Sequence, residues 1–90
     1  MIALTFTAKP FGRTKHYEHA SERGRGAIFY LPGSRKWECR FSARKGDGVV
    51  FVDAQGGTPD SCARNLAKEL DRRSIGLWGA DETVTVEIAR

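Results

Sequence analysis

The chain has 90 residues, of which 15 are Lys or Arg and 11 are Asp or Glu, so its formal net charge is +4. This length predicts one domain with a small core, and 40% hydrophobic with 29% charged residues is typical of a globular protein rather than a disordered one. No apolar run approaches the ~20 residues that a transmembrane helix needs, and residues 1–8 lack the features of a signal peptide. Two cysteines, Cys39 and Cys62, are too few for a disulfide framework, so we expect reduced thiols and a cytoplasmic protein.

The charge is distributed unevenly along the chain. Residues 9–45 hold ten basic and three acidic residues, whereas residues 46–90 hold five basic and eight acidic ones. A basic block within one small domain creates a local positive field that attracts polyanions. The same block also fits a solvated surface that keeps the protein soluble, and composition alone leaves both interpretations open.

The N-terminal segment begins with an alternating pattern. Ile2, Leu4 and Phe6 alternate with small or polar residues, which predicts a half-buried strand over 2–7 that ends before Pro10. Residues 9–26 are polar, show no periodicity and contain three glycines. We therefore expect a long basic loop over 9–26, the kind of segment that is often functional in a small domain.

Three further strands follow, joined by two tight turns. The turns are indicated by Pro32-Gly33-Ser34 and Lys45-Gly46-Asp47-Gly48. In the middle strand Trp37, Cys39 and Phe41 fall on one face, so we expect these three side chains to pack into the core. The pattern predicts an antiparallel meander with strands at 27–31, 36–43 and 48–53.

A helix is predicted over 59–73. Thr58 is a suitable N-cap, and Pro59 suits the first helical position because its missing N–H needs no partner there. Gly76 is expected to stop the helix, followed by a turn over 77–80 and a last strand over 83–89. The predicted fold is therefore α+β, a five-stranded, mainly antiparallel sheet with one helix packed on one face.

Four motifs between residues 25 and 70 occur in an order shared with known DNA-binding domains. They are Arg25-Gly26, Lys36-Trp37, Lys45-Gly46 and the alanine-bearing helical segment 62–67. In this order they resemble the three-stranded DNA-binding domain of plant ethylene-response factors and the arm-binding domain of phage tyrosine integrases. The resemblance implies a sheet laid into the major groove of DNA, with exposed strand side chains reaching bases and phosphates.

The basic residues of the first half are the candidate binding residues. Guanidinium and ammonium groups bind phosphate through charge-assisted hydrogen bonds. As residues that contact nucleic acid or an acidic partner, we predict Arg13, Lys15, Arg23, Arg25, Arg35, Lys36, Arg40, Arg44 and Lys45.

Catalytic and metal sites are not indicated. No Ser, His and Asp arrangement and no carboxylate pair stands out, so we expect no enzyme and no cofactor. His16 and His19 are three residues apart, but no further Cys or His lies near them in the sequence, so we expect no metal site. Gly56-Gly57 lacks the lysine and spacing of a phosphate loop and is interpreted as a turn.

Two functions from different classes are compatible with these patterns. The first is a non-catalytic nucleic-acid-binding module that uses the basic loop and the sheet face, with DNA expected rather than RNA. The second is a small inhibitor that binds a host nucleoprotein complex or an acidic protein surface, because a short chain with no attached catalytic domain looks like phage accessory proteins such as anti-CRISPR inhibitors. Either class allows a homodimer through an edge strand, and neither needs a membrane.

Overall fold

The computed structural model describes residues 1–11, 14–79 and 83–89. In these ranges the chain forms β1 (Ile2–Phe11), β2 (Thr14–Ser21), β3 (Gly24–Leu31), β4 (Lys36–Lys45), β5 (Gly48–Gly56), α1 (Pro59–Trp78) and β6 (Val84–Ala89). Each predicted strand and the predicted helix is present, and most extend a few residues beyond their predicted ends. The structure also has a strand, β2, that the sequence pattern did not predict.

The described strands form a single curled sheet in the order β5-β4-β3-β2-β1-β6. Neighbours are antiparallel except β6, which runs parallel to β1 and makes the sheet mixed. The helix crosses one face of the sheet on its way from one edge strand to the other, and the Asp71 carboxylate accepts the Val84 N–H at 2.9 Å where β6 begins. The predicted α+β fold is confirmed, with six described strands in place of five.

The prediction of a loop over 9–26 is wrong for the residues that the structure describes. β1 continues through Pro10 to Phe11, β2 covers Thr14–Ser21, and β3 begins at Gly24, with a turn at residues 22 and 23 between the last two strands. Pro10 is tolerated because, within the described residues, β6 pairs with β1 as far as Thr7, so Pro10 has one described neighbouring strand there. Residues 12 and 13 lie outside the described ranges.

The strand β2 escaped prediction because its core side is nearly free of large apolar residues. Tyr17 is buried, but the next residues on that side are His19 and Ser21. Their partners on β3 are Gly26 and Gly24, and the ring of Phe41 fills the space that these glycines leave: a Cβ on Gly26 would lie 2.7 Å from Phe41 Cδ2. The Phe41 ring of β4 thus fills the part of the core that apolar side chains of β2 and β3 would otherwise fill, so β2 lacks the usual alternating pattern.

The helix begins as predicted and ends later than predicted. Thr58 Oγ1 accepts the Ser61 N–H and Ser61 Oγ accepts the Thr58 N–H, each at 3.0 Å, which forms a capping box. The predicted stop at Gly76 is wrong, and the predicted turn at 77–80 is wrong for Leu77 and Trp78, which are helical. Leu77 is buried and extends the apolar stripe, and Gly79 supplies the left-handed stop at φ 67°.

The core lies between the helix and one face of the sheet. Its largest fully buried side chains are Phe6, Phe41, Leu4, Ile28, Leu66, Leu70, Cys39 and Cys62. The expectation that Cys39 and Phe41 point inward is confirmed, and Trp37 is half-buried against the same core. Gly56 ends β5 beside the helix start, where a Cβ would overlap Ser61.

Candidate nucleic-acid interface

The strand residues that alternate with the core lie on the face of the sheet that α1 does not cover, which we call the open face. In an antiparallel pair, directly opposed residues share a face, so the strand register assigns them. Among the described strand residues, five cations lie on the open face: Lys9, Arg25, Lys36, Arg40 and Arg44. In the same set, four acids share this face: Glu18, Glu38, Asp53 and Glu87. The surface is therefore of mixed charge, with cations in slight excess.

A shallow groove of about 690 Å³ crosses the middle of the open face. Lys9, Arg25 and Arg40 contribute to its walls, and the small side chains of Ala20 and Ala27 line it between them. Arg40 is opposite Ala27 in the register, and Arg25 is opposite Ser42 on the same two strands. Arg25 on β3 and Arg40 on β4 are thus diagonal neighbours, and the surface near them is formed by small side chains.

The cations around this groove differ in how much of their charge is already matched. Arg40 Nε lies 3.5 Å from Glu38 Oε2, and its guanidinium carbon lies 5.8 Å from the centroid of the Phe29 ring, although its side chain is still 70% exposed. Within the described ranges, Lys9 and Arg25 form no ion pair with a carboxylate. The Arg25 guanidinium therefore has no carboxylate partner in the described residues, whereas the Arg40 guanidinium is paired with Glu38.

A second group of predicted residues gathers at the end of the sheet where α1 stops. The Arg23 guanidinium lies 5.2 Å from the centre of the Trp78 ring, and Trp78 Nε1 donates to the Arg44 carbonyl at 3.0 Å. Together with Glu22 and Leu77 these residues surround a hollow of about 520 Å³. The tryptophan holds this end of the molecule together, and Arg23 is half-buried against it.

The other predicted binding residues do not join either group. Arg35 lies in the turn between β3 and β4 with φ 55°, next to Lys36, at the end of the sheet opposite Trp78. Lys15 is exposed near the start of β2, and Lys45 is exposed at the end of β4. Arg13 lies outside the described residues. The structure therefore places Arg25 and Arg40 at one groove and Arg23 and Arg44 at one hollow. The other described candidates lie apart from these two pairs.

Four residues at these surfaces were missed from the sequence. Lys9 was counted in the basic block but not as a binding residue, and the register of β1 on β2 is what brings it to the groove. Phe29 and Phe51 lie on the open face; the alternation of Phe51 with buried Val52 was a signal that could have placed it there. Trp78 was assigned to a turn, so its contact with Arg23 was out of reach.

The two thiols are packing groups. Burial raises the pKa of the Cys39 thiol far above its ordinary range, and burial raises that of Cys62 from 9.0 to about 11, so both stay protonated at neutral pH. The Cys62 Sγ–H points to the Ala54 carbonyl at 3.7 Å. Neither thiol is suited to act as a nucleophile.

The two histidines are held by local contacts. His19 Nδ1 lies 2.9 Å from the Thr5 carbonyl oxygen and Nε2 lies 2.7 Å from Ser21 Oγ, so the ring ties β2 to β1. His16 Nε2 lies 3.5 Å from Glu18 Oε1. Among residues 1–11, 14–79 and 83–89, no three His, Cys, Asp or Glu side chains cluster as a metal site would require.

Comparison of the chain with protein-family models, with curated proteins and with solved structures gives no significant match. No helix in the described part of the chain is long and apolar enough to cross a membrane. The functional assignment therefore depends on the chemistry of the open face.

Proposed function

We propose that this chain is a non-catalytic nucleic-acid-binding module whose contact surface is the open face. The observation that carries the proposal is the pair Arg25 and Arg40, which stand on adjacent strands at one groove lined by Ala20 and Ala27. Guanidinium groups bind phosphate oxygens in a bidentate manner. The small side chains between them leave room for a sugar–phosphate backbone to approach the sheet.

The flanking cations extend this contact in both directions along the sheet. Lys9 lies at the groove from the β1 side, and Arg44 and Lys36 lie near the two ends of β4. A linear polyanion crossing the open face meets several of these charges in turn, whereas a small anion meets one or two. The length of the charged surface thus favours a polymer over a mononucleotide.

The energetics predict a strong dependence on salt. The cations are exposed, so most of their contribution to binding comes from the release of counterions condensed on the nucleic acid. The acids on the same face, Glu38 beside Arg40 above all, reduce this contribution and give a moderate affinity. We expect binding to be weak at physiological salt and clear at low salt.

The test is a fluorescence anisotropy titration of labelled oligonucleotides at several salt concentrations between about 50 and 200 mM. The double variant R25Q/R40Q removes two charges from the open face, and the matched control R64Q/K68Q removes two exposed charges from the outer side of α1. We expect R25Q/R40Q to lower the slope of log affinity against log salt by about 2, with no change in the control.

Equal slopes for the two double variants would contradict the assignment of the open face. Absence of binding to any nucleic acid at low salt would contradict the function itself. It would favour the alternative from the sequence, an acidic protein partner, which a pull-down from nuclease-treated host lysate would then identify.

A further inference from the structure

The aromatic residues of the open face deepen the proposed function. Phe51 is 73% exposed on the edge strand β5, and Val49, two residues before it on the same side, is 54% exposed. A phenyl ring this exposed contributes little to the core, and exposed apolar side chains next to cations make a candidate binding surface. Phe51 lies outside the hydrophobic core, which leaves its ring free to contact a ligand.

The neighbours of Phe51 identify the chemistry of that ligand. Phe51 is opposite Ser42, which is opposite Arg25, so ring, hydroxyl and guanidinium stand in one row across three strands. With strands about 4.8 Å apart, the ring and the guanidinium are rooted about 10 Å from each other. An apolar flat group that carries phosphate on a flexible linker would satisfy both ends of this row.

A nucleotide whose base is unpaired has these two parts. Base faces stack on aromatic side chains when they are free, whereas in a duplex they are already covered by the neighbouring base pairs. A duplex offers the open face phosphates but no base face for Phe51. Resting on the proposed function, we infer that the open face binds single-stranded nucleic acid, with a base stacked on Phe51 and the adjoining phosphate at Arg25.

A second copy of the chain is a poorer occupant of the same patch. The residue opposite Val49 is Arg44, and Arg25 lies in the row of Phe51. Asp53 lies on the same side of β5, but Arg25, Arg40 and Arg44 outnumber it here. A two-fold axis through this patch would therefore bring two surfaces of net positive charge together, which opposes association. Charge complementarity therefore favours a polyanion over a homodimer.

Phe29 is a second aromatic residue on the open face, and its ring is less exposed than that of Phe51. It is half-buried and lies under the Arg40 guanidinium. Its ring is partly occupied by this cation, whereas Phe51 has no ring partner within the described residues. Phe51 is therefore the residue to change in a test.

The experiment compares an oligothymidylate and an oligouridylate of about 15 nucleotides with a mixed-sequence duplex of the same length. The proteins are the full chain, F51L, which keeps an apolar side chain without a ring, and F51W, which keeps a ring. We expect the single strands to bind more tightly than the duplex. Loss of one stacked base should weaken single-strand binding by F51L about 10- to 100-fold and leave duplex binding unchanged.

F51W gives a readout that a structural role would not move. We expect it to retain single-strand affinity and to show tryptophan quenching by oligonucleotide in excess of that of the full chain, whose Trp37 and Trp78 lie away from the open face. Duplex binding as tight as single-strand binding, or unchanged single-strand affinity in F51L, would overturn the inference while leaving the proposed function intact. A dimer by light scattering that F51L converts to a monomer would overturn it in favour of a second copy.

Discussion

The two faces of β4 obey different constraints. On the helix side, Cys39, Phe41 and Ala43 are each at most 1% exposed, and the Phe41 ring contacts β1, β2 and β3 residues. On the open side, Arg40 has a side chain that is 70% exposed, held by one long ion pair and one ring. The comparison shows that the helix-side residues of β4 stabilise the fold, whereas the alternating residues on its open side are available for the proposed binding.

The largest effect should come from the covered side of this strand. Phe41→Ala removes a fully buried ring whose space the glycines of β3 cannot fill, so the free energy of unfolding should fall by about 3–5 kcal/mol. Arg40→Gln on the open side should change it by less than about 0.5 kcal/mol. Urea denaturation measures both values, and similar losses in the two variants would remove the proposed division between the faces.

A smaller loss is expected from adding a methyl group beneath the same ring. A Cβ on Gly26 would lie 2.7 Å from Phe41 Cδ2 and 2.8 Å from the Arg40 carbonyl oxygen. Gly26→Ala should therefore cost about 1–3 kcal/mol. Gly33→Ala is the matched control because no atom lies within 4 Å of the added Cβ. A G26A protein as stable as G33A would mean that the ring does not rest on β3.

Local sequence signals explain how much of this architecture was predictable: apolar runs, alternation, turn residues and a helix cap. The strands at 27–31, 36–43 and 48–53 and the start of α1 followed from local signals that the folded chain retains. The strand β2 did not, because its core side depends on a ring supplied by β4, a contact that no local pattern contains. The end of α1 was missed because Gly76 read as a stop, whereas the buried Leu77 makes the extra turn favourable.

The candidate site was predictable to a similar degree and for the same reason. Alternation alone predicted that Cys39 and Phe41 share the core face of β4, which leaves Arg40 to the opposite face. Placing Lys9 at the groove of Arg25 requires knowing how three strands pair. Placing Arg23 on the Trp78 ring requires knowing where the helix ends. Residue type indicated the chemistry, and pairing between distant segments decided which residues share a surface.

A third effect comes from pH and concerns the covered face alone. The unfolded chain loses the Cys62 proton around 9.0, whereas burial raises the folded pKa to about 11, so the folded state holds more protons in between. The contribution of this thiol to stability should therefore be constant below about pH 8 and fall as the pH rises above 9.0 toward 11, by about 1.4 kcal/mol at pH 10. Chemical denaturation at pH 8 and pH 10 measures the loss, and C62A should show less of it. An equal loss in C62A would assign the effect to other groups.

The smallest effect is expected where α1 begins. Thr58→Ala removes the side-chain acceptor for the Ser61 N–H and should cost about 1 kcal/mol. Thr58→Ser keeps a hydroxyl at the cap and should stay within a few tenths of the full chain. Thermal unfolding followed by circular dichroism would show the difference, and neither variant should alter oligonucleotide binding, because the helix covers the other face. Weakened binding in T58A with the fold intact would link the helix to the recognition surface.

The parallel pairing of β6 with β1 has a consequence for the rate of folding. Its two partners come from opposite ends of the sequence, and the hydrogen bond from Ile2 N–H to the Thr83 carbonyl at 2.9 Å forms only when they meet. A pairing between strands so far apart in the sequence forms slowly, because loop-closure entropy is lost before the contacts are gained. Until β6 docks, the outer edge of β1 is an unpaired strand, and it is during this interval that nascent or refolding chains are most exposed to aggregation.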